Sequence, residues 1–294
     1  MPDRIVLENE HLIVHLHPKG AELRQLKGKK TGINYLWSGD PAWWGKTSPV
    51  LFPIVGTLRD NSYTYQGKTY SLPRHGFARD KRFMVEQSSP LAANFLLQDD
   101  SETREVYPFS FQFHVFYALI EDRLSVRYTV VNTGPDTLWF SVGAHPAFAV
   151  PPTGVADAGD YEDHYLQFDR SDALVRYKLS DGLISDETET ITLDNHVLRL
   201  NAGLFSEDAI VLKGLPDQHI RLLGWKHMNG IEFSWQDFPF FGIWAPAGAP
   251  FVCLEPWCGI ADSVHHDKEL TRKEGIRSLG PGDYFAREWS VRCF

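Results

Sequence analysis

Two short segments, far apart in the chain, each place a proton-transfer residue where its backbone is constrained. In Gly143-Ala144-His145-Pro146-Ala147-Phe148 a histidine precedes a proline, and in Leu254-Glu255-Pro256-Trp257-Cys258-Gly259 a glutamate does the same. Bulky apolar neighbours flank both. An imidazole and a carboxylate held on opposite sides of a small bound molecule make a matched acid and base, so the chemistry they point to is proton transfer.

Each has a plainer reading. A proline after His145 disfavours helical geometry and fixes the histidine on extended backbone at a strand end, where it could equally be a satisfied core histidine. Glu255 follows Ala249-Pro250-Phe251-Val252-Cys253-Leu254. An unpaired carboxylate there would be expensive, so it needs a substrate hydroxyl or an arginine partner, and partial burial would raise its pKa toward that of a general base. His75, in Leu72-Pro73-Arg74-His75-Gly76-Phe77-Ala78-Arg79, is a third candidate. The hairpin before it would fold it back on an apolar run at 48–59, so that Arg59, His75 and Arg79 could converge. Asp208, ahead of the apolar residues 209–212, could bind hydroxyls or simply start a strand. Trp37, Trp43, Trp44, Trp235, Trp244 and Trp257 offer flat faces to a sugar ring or to the core.

Period-2 patterns supply the elements that would position these groups. Leu124, Val126, Tyr128 and Val130 alternate with polar or smaller residues through 123–132, the signature of a half-buried strand. Residues 63–65 and 69–72 flank Gln66-Gly67-Lys68 and predict a hairpin. Further strands are expected at 11–17, 111–119, 138–142, 210–212, 219–222, 241–244 and 285–291, with the run at 48–59 as a buried strand ending in Arg59. No window of ten or more residues keeps a helical stripe. Many short strands divided by Gly, Pro, Asn and Asp predict an all-β chain, two packed antiparallel sheets in one domain spanning 1–294. Residues 151–163 are the best candidate for a long loop.

Composition narrows the class. Nine Trp and nineteen Phe with 23% charged residues describe a globular chain, and 29 basic against 38 acidic residues, a net charge of −9, disfavour nucleic acid and anionic membranes as partners. The N-terminus, Met1-Pro2-Asp3-Arg4, lacks a basic-then-apolar leader pattern, and apolar runs are too short to cross a membrane. Cys253, Cys258 and Cys293 are odd in number and lack paired spacing, which predicts reduced packing residues in a cytoplasmic protein. His265-His266-Asp267 supplies no third ligand by spacing, so no metal is expected there. A Gly-rich phosphate loop, a Gly-x-Ser-x-Gly elbow and a His-Glu-x-x-His helix are all missing.

Taken together, Leu51-Phe52-Pro53-Ile54-Val55-Gly56 with Arg59, His75-Gly76-Phe77-Ala78-Arg79, Gly143 to Phe148, Asp208-Ala209-Ile210-Val211, Phe238-Pro239-Phe240-Phe241-Gly242-Ile243-Trp244 and Glu255-Pro256-Trp257-Cys258-Gly259-Ile260-Ala261-Asp262 resemble the aldose 1-epimerase (galactose mutarotase-like) superfamily, in particular its LacX-like and hexose-phosphate mutarotase branch. The resemblance implies a large antiparallel β-sandwich, the galactose mutarotase-like supersandwich, whose concave face binds a free sugar or sugar phosphate. It places Glu255 at the general-base position, His145 at the general-acid position, His75 near the ring, and Asp208 and Arg59 at substrate-binding positions, with Asp237 as the competitor of Asp208.

The implied reaction interconverts α and β anomers. Glu255 takes the proton of the anomeric hydroxyl while His145, as imidazolium, protonates the ring oxygen; the ring opens, C1–C2 rotates, and closure reverses the roles. Neither a cofactor nor a metal is expected. Arg74, Arg79, Lys81 and Arg82 concentrate four basic residues in nine, and arginine forks suit a phosphate, so a hexose 6-phosphate competes with a free aldohexose as substrate. The expectation here favours the free sugar, with Arg79 among its contacts. A noncatalytic carbohydrate-binding protein would need the aromatic faces but not both proton-transfer residues. A glycoside hydrolase would need a second carboxylate. The oligomeric state is not legible.

Overall fold

The computed structural model describes residues 4–294, so the expectation drawn from Met1 to Asp3 lies outside the described residues. Two large antiparallel sheets dominate. The first runs in the order Ile5–Glu8, Leu12–His17, Glu22–Gly28, Asn34–Leu36, Ala147–Thr153, Phe251–Cys258, Phe240–Trp244, Ile210–Lys213, Ala173–Ser180 and Leu183–Thr192, with Val142–Ala144 pairing both Phe251–Cys258 and Val50–Leu51. The second runs Val197–Arg199, His164–Phe168, His219–Gly224, Ile231–Gln236, Tyr284–Cys293, Arg123–Asn132, Phe111–Ile120, Ala92–Gln98 and Met84–Ser89.

Alternation explains how the sheets meet. Phe148, Phe241 and Phe52 on one side meet Phe233, Trp235 and Phe113 on the other, with Trp235 and Phe241 4.2 Å apart and Phe52 stacked on Phe113 at 4.6 Å. Each such ring contributes roughly 1.5–3 kcal/mol by leaving water. The strand Phe251–Cys258 is buried along its whole length. Val252 and Leu254 join the inter-sheet core, and the alternate residues face the other side of the first sheet, where the site lies.

Several expected elements appear where the pattern put them. The strand Arg123–Asn132 pairs residue for residue with Phe111–Ile120. The hairpin Ser62–Tyr65 and Lys68–Ser71 turns on Gln66 and Gly67, both at positive φ as a type I′ turn requires.

Three expectations need correction. The run at 48–59 is a ladder strand only at Val50–Leu51; Pro53 has no N–H to donate, and Gly56, at φ 75°, turns the chain out of the sheet. The expected strand at 138–142 divides at Ser141, with Leu138–Phe140 pairing Arg277–Leu279 and Val142–Ala144 passing to the first sheet. The loop at 151–163 begins late, because the strand Ala147–Thr153 runs into it and Val150 N–H donates to the Pro250 carbonyl. A six-residue helix, Ser101–Val106, is capped reciprocally by Asp100 and Thr103 and is too short to show a periodic stripe.

Candidate active site

The register of the first sheet creates the site. Gly143 pairs with Trp257 and Ala147 with Cys253, so His145, midway between on its strand, faces Glu255, midway between on the other. Pro146 leaves the ladder intact by accepting from Leu254 N–H. His145 Nε2 lies 3.3 Å from Glu255 Oε2, and the residues are 8% and 2% exposed. On the other flank Gly242 is the partner of Glu255. A Cβ at Gly242 would stand 2.4 Å from the Trp257 ring, so only glycine lets that indole lie across the strand beside the carboxylate.

The two groups open into a cavity of about 180 Å³ whose walls include Trp44, Trp244 and Trp257. Trp44 stacks on the His145 imidazole at 4.8 Å, and Trp244 meets it edge-on at 5.7 Å. Trp37 and Trp235 sit in the core, and Trp43 is largely exposed. The loop carrying Trp44 is tied down by a buried carboxylate: Glu22 Oε1 accepts from Thr47 N–H at 2.7 Å and Ser48 N–H at 3.2 Å.

His75 comes from the turn after the hairpin. Its N–H donates to the Gly56 carbonyl at 2.9 Å, and its Nδ1 accepts from Gly56 N–H at 3.1 Å. An Nδ1 that accepts leaves the ring proton on Nε2, so neutral His75 keeps one donor free on the ring's far side. His75 and His145 are perpendicular, 5.7 Å between centroids.

Burial controls the charges. It pushes the Glu255 carboxyl well above the usual range, against the pull of Arg74, and pushes His145 down to about 3, aided by Arg74 and Arg79. His75 is driven well below the ordinary histidine value, mainly by burial and then by His145. Burial thus favours the uncharged form of the pair, with its proton on Glu255. Glu255 Oε2 and His145 Nδ1 have no hydrogen-bond partner among the described residues.

His145, Glu255, His75 and Arg79 thus gather on one cavity. Arg59 does not join them. Its N–H donates to Asp262 Oδ2 and its Nη1 to the His266 carbonyl, so the convergence of Arg59 with His75 is corrected. In its place Arg74 lines the cleft with no ion-pair partner among the described residues. Arg79 donates to the Arg74 carbonyl at 2.7 Å. Asp208 stands beside the cavity: Ala209 forms part of the wall, the Asp208 carboxylate accepts from Ala209 N–H, and its charge opposes ionisation of Glu255. Asp237 lies elsewhere, in a groove that also includes Arg287, Glu288 and Ser290 of the second sheet.

Leu179, Gly182 and Ile184 complete the wall from the hairpin Ala173–Ser180 and Leu183–Thr192. The sequence reading missed this hairpin. Its signal is Asp181-Gly182, both at positive φ, between apolar residues.

A sequence model of the family described as Aldose 1-epimerase matches residues 3–274. The chain belongs to the aldose 1-epimerase family. It is similar to the chromosomal LacX protein of Lactococcus lactis subsp. lactis, 31% identical over 297 residues and 98% of each chain. Among solved structures, a galactose mutarotase related enzyme from Lactobacillus acidophilus superposes with a TM-score of 0.93 at 36% identity, covering 99% of this chain and 97% of that one. A galactose mutarotase-like protein from Lactobacillus casei gives 0.91 at 30% identity, covering 99% and 100%. The sandwich expected from the strand pattern is thus the fold of this epimerase family. No helix among the described residues is long and apolar enough to cross a membrane.

Proposed function

We propose that the protein interconverts the α and β anomers of an aldohexose, with Glu255 and His145 as base and acid. The observation that carries this reading is the facing pair at 3.3 Å, buried, opening on a cavity, with hydrogen-bonding capacity unspent. The anomeric carbon bears its hydroxyl oxygen and the ring oxygen as geminal neighbours, so a donor and an acceptor this close span both. The resting uncharged pair and the reactive carboxylate–imidazolium pair hold the same number of protons. One proton shift between Glu255 and His145 converts them, favoured by Arg74 beside the carboxylate and by sugar hydroxyls filling the cleft.

Glu255 then takes the O1 proton as His145 protonates the ring oxygen, and C1–O5 opens to the aldehyde. After rotation about C1–C2 the steps reverse, with no net proton uptake and no cofactor. His75, with its free Nε2–H, orients the ring oxygen, and the Trp44, Trp244 and Trp257 faces pack on C–H surfaces. Asp208 and Arg79 are the further substrate contacts.

A second reading, a hexose 6-phosphate as substrate, is favoured by one observation. Arg74 and Arg79 both line the cleft, and Arg74 has no carboxylate partner among the described residues. We keep the free sugar first, because the arginines serve hydroxyls as well. Polarimetry on fresh α-glucose, α-galactose and glucose 6-phosphate, with exhaustively chelated protein, tests both readings. Accelerated equilibration of at least one sugar is expected; no acceleration of any would end the epimerase reading.

A further inference from the structure

One buried group beside the acid–base pair has no role in the reaction above. Cys253 lies two residues before Glu255 on the strand Phe251–Cys258, so both side chains leave the same face of the sheet. It is a free thiol, fully buried. A ring nitrogen of His145, Cys253 Sγ and a Glu255 oxygen all lie within 4.8 Å of one another. Glu255 Oε2 and His145 Nδ1, both on side chains more than nine-tenths buried, have no hydrogen-bond partner among the described residues. A nitrogen, a sulfur and an oxygen donor thus cluster, and the oxygen, Glu255 Oε2, has spare capacity.

We propose that His145, Cys253 and Glu255 form a three-ligand site for a borderline-soft divalent cation of the zinc type, and that its occupancy shuts off the acid–base pair. Two ligand atoms, each ~2.0–2.1 Å from a tetrahedral zinc, stand roughly 3.3 Å apart, and the imidazole and carboxylate are already separated by 3.3 Å. The thiol need only close inward. His145 and Glu255 line the cleft, so the fourth position faces the cavity, as in zinc sites that keep an open coordination place.

Charge selects the cation. A thiolate, a carboxylate and a neutral imidazole around a doubly charged ion sum to zero, so these three ligands hold a divalent cation in a buried site without adding net charge. Two protons leave for solvent on binding, one from the thiol and one from the Glu255 carboxyl. The sulfur ligand favours zinc-type ions over magnesium or calcium, which take oxygen ligands. A bound ion would occupy the lone pairs that accept and deliver protons, leaving the sugar without acid or base. The binding half of the proposal stands without the epimerase reading; the shut-off half rests on it.

Cobalt(II), added to metal-stripped protein, reads the sulfur ligand directly. The wild type should show a thiolate-to-cobalt charge-transfer band that zinc abolishes by competition at one ion per chain. Cys253→Ser, close in volume, and Cys253→Ala should lose the band and bind zinc more weakly by roughly a hundredfold or more, since losing even a supporting partner of a metal ligand costs about 10–100-fold. Cobalt bound without that band, or unchanged zinc affinity in both variants, would overturn the site. In polarimetry, wild-type rates should fall in step with zinc occupancy and return on chelation, while Cys253→Ala keeps its activity and resists zinc. A zinc-loaded wild type at full rate would overturn the shut-off. Should the stripped protein lack epimerase activity altogether, the cobalt band still decides the site.

Discussion

Two buried pairs, each of a basic and an acidic side chain, behave differently. Lys273 and Asp262 meet at 2.8 Å with side chains 0% and 1% exposed. Lys273 Nζ also donates to the Ile260 carbonyl, and Asp262 Oδ2 accepts from Arg59 N–H. His145 and Glu255 are nearly as buried, yet stand 3.3 Å apart with Glu255 Oε2 unpartnered among the described residues. The first pair uses its hydrogen-bonding capacity internally and pins Ile260 and Ala261 into the cavity wall. The second leaves its capacity open toward the cleft. Burial does not distinguish the two pairs; unspent hydrogen-bonding capacity does.

The sharpest way to break this comparison is to remove one partner from each pair. Lys273→Met strands a buried carboxylate and should cost about 3–5 kcal/mol of unfolding free energy, read by urea denaturation, while turnover per folded molecule stays near wild type. Glu255→Gln and His145→Asn should do the converse. Each should lower kcat by at least roughly 10²-fold with little change in the urea midpoint and smaller effects on sugar affinity. Near-normal turnover in either variant would remove its residue from the mechanism.

A pH series sharpens the contrast. His145 titrates near 3 in the folded protein against an ordinary 6.5, a depressed value. As pH falls below about 6.5 the unfolded chain takes up a proton that the folded chain refuses. The stability contribution of His145 is therefore present above 6.5 and lost between 6.5 and about 3. From pH 7 to 4.5 the wild type should lose more stability than His145→Asn, by on the order of a few kcal/mol. Equal losses would mean that burial does not hold His145 neutral.

The smallest expected effect concerns Arg74. With a free aldohexose as substrate, glucose and glucose 6-phosphate should differ in kcat/KM by less than about tenfold, equivalent to roughly 1.4 kcal/mol. A larger phosphate preference that Arg74→Ala abolishes would reverse that assignment.

The sequence by itself determined which side chains are chemically able to exchange protons and what kind of framework holds them. Pro146 and Pro256 hold the backbone beside His145 and Glu255, and the alternation at 123–132 dictates a half-buried strand, because these are short-range preferences of backbone and solvent. Asp181-Gly182 was legible in the same way, as a turn signal, though what it overhangs was not. Only the tertiary structure decided that His145 faces Glu255, that Arg74 rather than Arg59 reaches the cleft, and that Asp237 lines a different groove. Local pattern tells a residue which face of its strand to occupy. Its neighbour there is set by register between strands more than a hundred residues apart, fixed by the packing of the whole sandwich rather than by any segment within it.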